Sequence, residues 1–360
     1  MKKIKIFMMA LLAAMSFAAC SSDDDNNKQN VISEYSLNDQ TVAAQKAKSG
    51  KNKAVLLVAF GSTWQNAFAA FDKTKEAYEA EFPDADVYVS FSSDICINRA
   101  SAGEHNEKRD YYEPRYLLHA IGAAKYDTIY VQSLQVIPGE EFSNVVAAVK
   151  KFANNGYVKE AHLDDAYLKK VKVYLGMPLL YDEDEVETVA DILNGLYKSE
   201  AANGAVAFMG HGNPDNYDSF KANVRYTQLE EALQDINPNY YVGTVDMDGN
   251  KKDDVLARMQ EDGLTSGKIY LHALMSIAGD HAHNDMAGEG DEYWDEEEPA
   301  SEDNSWYEYF SHNGFEPSVP ETNGNPLGLL ELTGIRQIWI SHTKDAELLE
   351  DAYHSMYPEE

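Results

Sequence analysis

The chain has 360 residues, of which 44% are hydrophobic and 11% aromatic, enough apolar material for two ordinary domains; global disorder is excluded. Sixty-one acidic against 30 basic residues leave a formal net charge of −31, which argues against nucleic acid as a partner and suits cations. Most of this charge is read as a solvated surface that keeps the chain soluble.

The first twenty residues read as a processing segment. Lys2, Lys3 and Lys5 form a basic start, Ile6 to Phe17 an apolar run too short to span as a mature helix, and Ala18-Ala19-Cys20 a small-residue cleavage site. A Cys directly after small residues resembles a bacterial lipobox, with Phe17 where Leu is usual. Residues 1–20 are therefore expected to be a lipoprotein signal peptide, with Cys20 lipidated as the membrane anchor. Ser21-Ser22-Asp23-Asp24-Asp25 resembles the acidic signal that sends some lipoproteins to the cell surface. The expected location is exported, either periplasmic or anchored at the outer membrane or cell surface. Residues 21–50 are polar and rich in Asn, Ser and Lys, and read as a flexible tether. Only Cys96 remains after Cys20, which excludes an intrachain disulfide and a Cys-rich zinc site. It reads as a small buried hydrophobe. Beyond the signal no run of eighteen apolar residues occurs, so no transmembrane helix is expected.

From residue 53 short apolar runs alternate with amphipathic stretches. The strand-like runs are Ala54–Phe60, Asp86–Phe91, Thr128–Val136, Val171–Leu175, Ala205–Met209, Tyr240–Val245, Lys268–Ile277 and Arg336–Ser341. Continuous apolar runs suit parallel strands covered on both faces. The order of elements also repeats. AVLLVAFGS (54–62) is echoed by AVAFMGHGN (205–213), DVYVSF (86–91) by YYVGTV (240–245), and TIYVQSLQVIPGEEF (128–142) by KIYLHALMSIAGDHA (268–282). The expected fold class is α/β, with two similar α/β domains carrying parallel sheets, at 51–198 and 199–360. A ligand cleft is expected between them, at the carboxyl ends of the strands. An acidic insertion is read at 288–304, in the second domain.

His211 lies in Met209-Gly210-His211-Gly212 at a strand end, where glycines on both sides strip bulk from the turn. His281 lies in Gly279-Asp280-His281-Ala282-His283-Asn284-Asp285, a polar loop after a strand, where Asp280 or Asp285 can hold a His tautomer. The internal repeat sets Glu141 opposite His281, and Asp246 follows the strand Tyr240–Val245. Two imidazoles with one or two carboxylates suit divalent cobalt, nickel, iron or zinc, and the same groups can remove protons from a ligand. Metal insertion into a tetrapyrrole needs both tasks. No Walker loop, no GxGxxG opening a helix and no hydroxyl nucleophile paired with His stands out. His105, His119, His162, His272, His312, His342 and His354 read as structural or surface residues, and His283 as a spare ligand or a bystander.

The sequence resembles the anaerobic-type sirohydrochlorin cobalt chelatases, the CbiK family of the chelatase superfamily. The resemblance rests on AVLLVAFGST (54–63), VQSLQVIPGEEF (131–142), LGMPLL (175–180), FMGHG (208–212), VGTVD (242–246), LMSIAGDHAHNDMAG (274–288), SW (305–306) and NGNP (323–326), and covers about residues 53–345. It implies a lyase of cobalamin biosynthesis that inserts divalent cobalt, with iron or nickel as alternatives, into sirohydrochlorin or a related tetrapyrrole. It implies that His211, His281 and Glu141 are catalytic, that His211, Asp246 and His281 hold the substrate metal, and that Ser62 and Thr63 lie near the tetrapyrrole side chains. Asp246 stands where the family has Glu, and Gln135 where it commonly has His; Gln can neither take a proton nor bind metal as imidazole does. Together with the export signal, Gln135 favours one alternative, an exported lipoprotein that binds a metal, haem or a corrinoid without turnover. The oligomeric state stays open.

Overall fold

The computed structural model describes residues 28–103, 108–154, 163–218, 220–288, 297–301, 304–322 and 324–348. The expected signal peptide with Cys20, most of the acidic insertion, and His105, His162 and His354 lie outside them. Seven of the eight apolar runs are strands: β1 (Lys53–Ala59), β2 (Ala85–Phe91), β3 (Thr128–Ser133), β4 (Lys172–Gly176), β5 (Ala205–Gly210), β6 (Tyr240–Thr244) and β7 (Gly267–Ala273). β8 (Phe315–Ser318) joins them, followed by a small hairpin of β9 (Glu321–Thr322) and β10 (Asn325–Pro326), and by β11 (Glu347–Leu348). The helices are α1 (Lys28–Ser49), α2 (Gln65–Glu81), α3 (Asp94–Ala102), α4 (Pro114–Ala123), α5 (Glu140–Ala153), α6 (Asp165–Leu168), α7 (Glu183–Ala201), α8 (Val224–Ile236), α9 (Lys252–Glu261), α10 (Trp306–His312) and α11 (Thr333–Lys344). A π-helical turn spans His281–Met286.

The first sheet runs β2-β1-β3-β4 and the second β6-β5-β7-β8, all parallel. The two orders are the same, so the sequence repeat is a repeat of topology. β1 and β5 are buried almost throughout, which is why they read as unbroken apolar runs. In each sheet the chain leaves the first strand for a neighbour on one side and then for one on the other. At such a reversal α/β folds bind ligands beyond the carboxyl ends of the central strands. Between the sheets lies one shared apolar cluster, including Leu57, Phe71, Leu179, Val189, Phe208, Leu274, Leu330 and Trp339. Separate clusters fill the outer face of each sheet. Among the described residues no helix is long and apolar enough to cross a membrane.

Three expectations meet a different structure. Arg336–Ser341 is part of α11 and not a strand: the buried positions are Ile335, Ile338, Trp339, Ile340 and Thr343, and 335, 338, 339 and 343 recur at helical spacing. The described part of the expected tether is α1. Val42 anchors it in the core beside α4, Lys46 Nζ donates to the carbonyls of Ala124 and Lys125 at 2.8 and 2.5 Å, and Gln45 and Ser49 donate to Asp86 at 2.9 and 2.6 Å. The halves also interlock. α7, which contains residue 198, packs on α8 and β5 of the second sheet, whereas α11 packs on β3 and β4. β11 then pairs antiparallel with β4, Glu347 beside Leu175 and Leu348 beside Tyr174. At the edge of the acidic insertion, buried Lys252 donates to the carbonyls of Ser301 and Asn304.

Candidate active site

His211 is the first residue after β5, and the turn behind it is tight. A Cβ on Gly210 would stand 2.4 Å from the Tyr226 ring, and Gly212 adopts φ +75°, a left-handed conformation that costs any other residue strain. The backbone amides of Val245 and Asp246 donate to the His211 carbonyl at 3.1 and 2.9 Å, which ties the end of β6 to the end of β5. His211 Nδ1 lies 2.7 Å from the Gly212 carbonyl, which can only accept, so Nδ1 carries the proton and Nε2 keeps a lone pair. Asp246 Oδ2 lies 3.7 Å from the same Nδ1.

His281 opens the π-helical turn after β7, and its Nδ1 donates to Asp285 Oδ2 at 2.5 Å. Of the two acids flagged by sequence, Asp285 is the one that holds this ring. π-turns of this kind widen the helix and occur often at functional sites. The rings of His211 and His281 meet edge to face, with centroids 4.8 Å apart and planes at 83°. Their protonation is biased in opposite directions. Burial lowers the His211 pKa, and the charge of His281 lowers it further, against a weaker pull from Asp246. Burial also acts to lower His281, but the hydrogen bond and charge of Asp285, aided by Asp246 and Asp280, outweigh it and the net direction is upward. One imidazole of the pair is thus kept as a base and the other favours the proton.

Glu141 sits in the first turn of α5, at the carboxyl end of β3. Burial lifts its carboxyl to about 7, against an opposing pull from His281. The loops of the two halves approach closely here. A Cβ on Gly139 would stand 3.2 Å from Asn213 Nδ2, and one on Gly279 3.3 Å from Ser62 Oγ. Ser62 and Thr63 are both buried at this join, and Ser62 Oγ accepts from the Trp64 amide at 3.2 Å. Among the described residues no group of three or more His, Cys, Asp and Glu side chains is arranged to hold a metal ion. What stands ready is the imidazole pair, with Asp246 against the Nδ1 edge of His211.

Gln135 is buried beyond the end of β3. Its carbonyl accepts from Leu179 N at 3.1 Å and Trp339 Nε1 at 3.3 Å, while its side-chain Nε2 has no partner among the described residues. Cys96 is half-buried, and burial pushes its thiol up to about 11. His272 is fully buried and its pKa is drawn down to about 4 by burial, which fits a neutral core residue. His283 is buried and stacks on Trp64, a contact not legible in sequence because 219 positions separate the two rings.

A family model described as cobalt chelatase (CbiK) matches residues 53–347. A sirohydrochlorin cobaltochelatase (CbiKC) of Nitratidesulfovibrio vulgaris is 30% identical over 244 residues, 67% of this chain and 78% of that protein. A sirohydrochlorin cobaltochelatase of Salmonella typhimurium is 26% identical over 300 residues, 82% of this chain and 96% of that protein. The solved structure of SirB from Bacillus subtilis with Fe3+ is similar at a TM-score of 0.49 and 15% identity, covering 82% of this chain and 95% of that one.

Proposed function

Because the chain belongs to the cobalt chelatase (CbiK) family, we propose that it inserts divalent cobalt into sirohydrochlorin or a closely related tetrapyrrole, with His211 and His281 as the centre of the reaction. The observation that carries this reading is the adjacent imidazole pair, ring centroids 4.8 Å apart, each ring with its Nδ1 engaged by a neighbouring oxygen. Insertion consumes one divalent ion and one free-base macrocycle, and yields the metal complex and two protons. His211, the less basic ring, offers its Nε2 lone pair to the incoming ion or to a pyrrole N–H proton. Glu141, poised near neutrality, takes up a second proton. Asp246 completes the metal's reception by balancing its charge beside His211. Ser62 and Thr63 border the macrocycle from the first half. The substrate assignment is supported by the names of the relatives, and cobalt ranks ahead of iron and nickel on the same ground.

The proposal extends to location: residues 1–20 direct export, and lipidated Cys20 tethers the enzyme to a membrane.

An anaerobic absorbance assay with sirohydrochlorin and cobalt(II), then ferrous iron, tests the function. A saturable, protein-dependent shift of the macrocycle bands, absent in His211→Ala, is the expected result. Tight binding without acceleration over the protein-free rate would overturn turnover and leave a capture protein.

A further inference from the structure

Around His281 the two halves are joined by contacts that the chemistry above does not use. Trp64, in the loop before α2, lies flat on His283, with ring centroids 3.7 Å apart and planes within 5°. Its indole Nε1–H donates to Asp280 Oδ1 at 2.5 Å, and Arg99 of α3 stands 3.6 Å from the same carboxylate. Two residues on, the Asn66 amide donates to the carbonyls of Ala278 and Pro326 at 3.2 and 3.3 Å, and Asn66 Oδ1 lies 3.4 Å from His283 Nε2. Every one of these grips comes from the first half, and all but the bond to Pro326 close on residues 278–283 of the second.

The geometry brackets His281. Asp280 precedes it and His283 follows two places later, and both are held from across the join, while Asp285 holds the His281 ring from within the turn. Backbone bonds also tie the two ends of the turn. Ala287 N reaches Ala282 O at 3.1 Å in the wide π pattern, and His283 N reaches Gly279 O at 3.1 Å. A π-helical turn is a rare conformation, seen mostly as a single turn. His283 is fully buried, so the stack that fixes it is sheltered from water.

We propose that Trp64 is a positioning residue: by clasping Asp280 and His283 it fixes the turn that carries His281, and so sets the gap between His281 and His211. The consequence for rate rests on the chelatase reading; the clasp itself does not. A misplacement near 1 Å at a reacting centre costs about 10²-fold in rate.

The test compares the parent chain with Trp64→Ala and Trp64→Phe by hydrogen exchange and by steady-state cobalt insertion. In Trp64→Ala, amides of 279–286 should exchange faster by about tenfold while those of α9 stay at the parental rate. kcat should fall on the order of 10²-fold, with KM for the tetrapyrrole within about twofold of the parent. Trp64→Phe keeps a flat ring without the N–H and should fall between. Parental exchange in 279–286 would overturn the clasp. Faster exchange with a parental kcat would overturn the positioning role, and so would a raised KM at constant kcat, which would make Trp64 a substrate contact. If Trp64→Ala also loosens α9, Trp64→Phe decides. A parent without insertion activity would refute the chelatase reading alone, and exchange in 279–286 would still decide the clasp.

Discussion

Glu141 and His281 oppose each other across the join of the two halves: burial lifts the carboxyl to about 7, and the charge of the imidazole draws it back. A carboxyl raised from 4.5 on folding contributes stability that is complete below the unfolded value and is lost as pH rises through the folded one. Glu141→Gln removes that loss. It should match the parent at pH 4 and exceed it at pH 8 by roughly 1–3 kcal/mol, discounted for partial exposure. Urea unfolding at the two pH values checks this, and an equal difference at both would sink it. The same variant should insert metal more slowly, because an amide cannot take the second proton.

His211→Ala and His281→Ala should each abolish cobalt insertion. Both side chains are part-exposed at loop ends, 42% each, so far-UV circular dichroism should not change. Parental rates in either variant would end the assignment.

Asp285→Asn leaves the ring of His281 with a weaker acceptor and removes the main charge that raises its pKa. The His281 titration, followed by its ring-proton NMR signal, should move to lower pH. Removing such an outer partner of a metal-handling His typically costs 10–100-fold in affinity or activity, so cobalt affinity should weaken by roughly that factor. An unmoved titration would show that Asp285 does not govern the ring.

α1 should stabilise the first half. Val42 is 1% exposed, and Val42→Ala should cost about 1–3 kcal/mol in urea unfolding. Burial alone would raise the pKa of Asp86, but hydrogen bonds from Ser49, Tyr126 and Gln45 outweigh it and hold the carboxyl below its usual range. Its contribution is therefore present above the unfolded value of 3.8 and fades as pH falls through the lower folded one. A chain begun at residue 50 that melts with the parent would refute a docked α1.

Export makes a separate prediction. Metabolic labelling with radioactive palmitate should tag the parent chain and not Cys20→Ala, and the variant should leave the membrane fraction. Equal labelling of both would remove the anchor.

Much of the scaffold was legible because buried parallel strands leave continuous apolar runs, and because the half-by-half echo at 54–62 and 205–213 marks equivalent strands β1 and β5. His211 was legible as a residue directly after a strand between glycines, and His281 as part of a loop rich in acids and histidines after β7. The run 336–341 misled because it is rich in Ile and Trp, as strands are, although Ile335, Ile338 and Trp339 already had helical spacing. α1 hid in a polar composition, although Val42 is buried in the core and Asp86 accepts from Gln45 and Ser49. The clasp at Trp64 was out of reach because stacking between residues 64 and 283 leaves no local pattern.

β11 pairs with β4 from the far end of the chain. As the chain emerges, the outer edge of β4 therefore stays open until residues 347–348 are free to pair with it. An unpaired edge is a site for misassembly. A fragment ending near residue 198 would carry that edge and lack both α11 and the second-half partners of α7. The two repeats thus share a topology while exchanging α7, α11 and β11 across their boundary, and a split between them should yield insoluble pieces where free-standing domains would yield two folded ones.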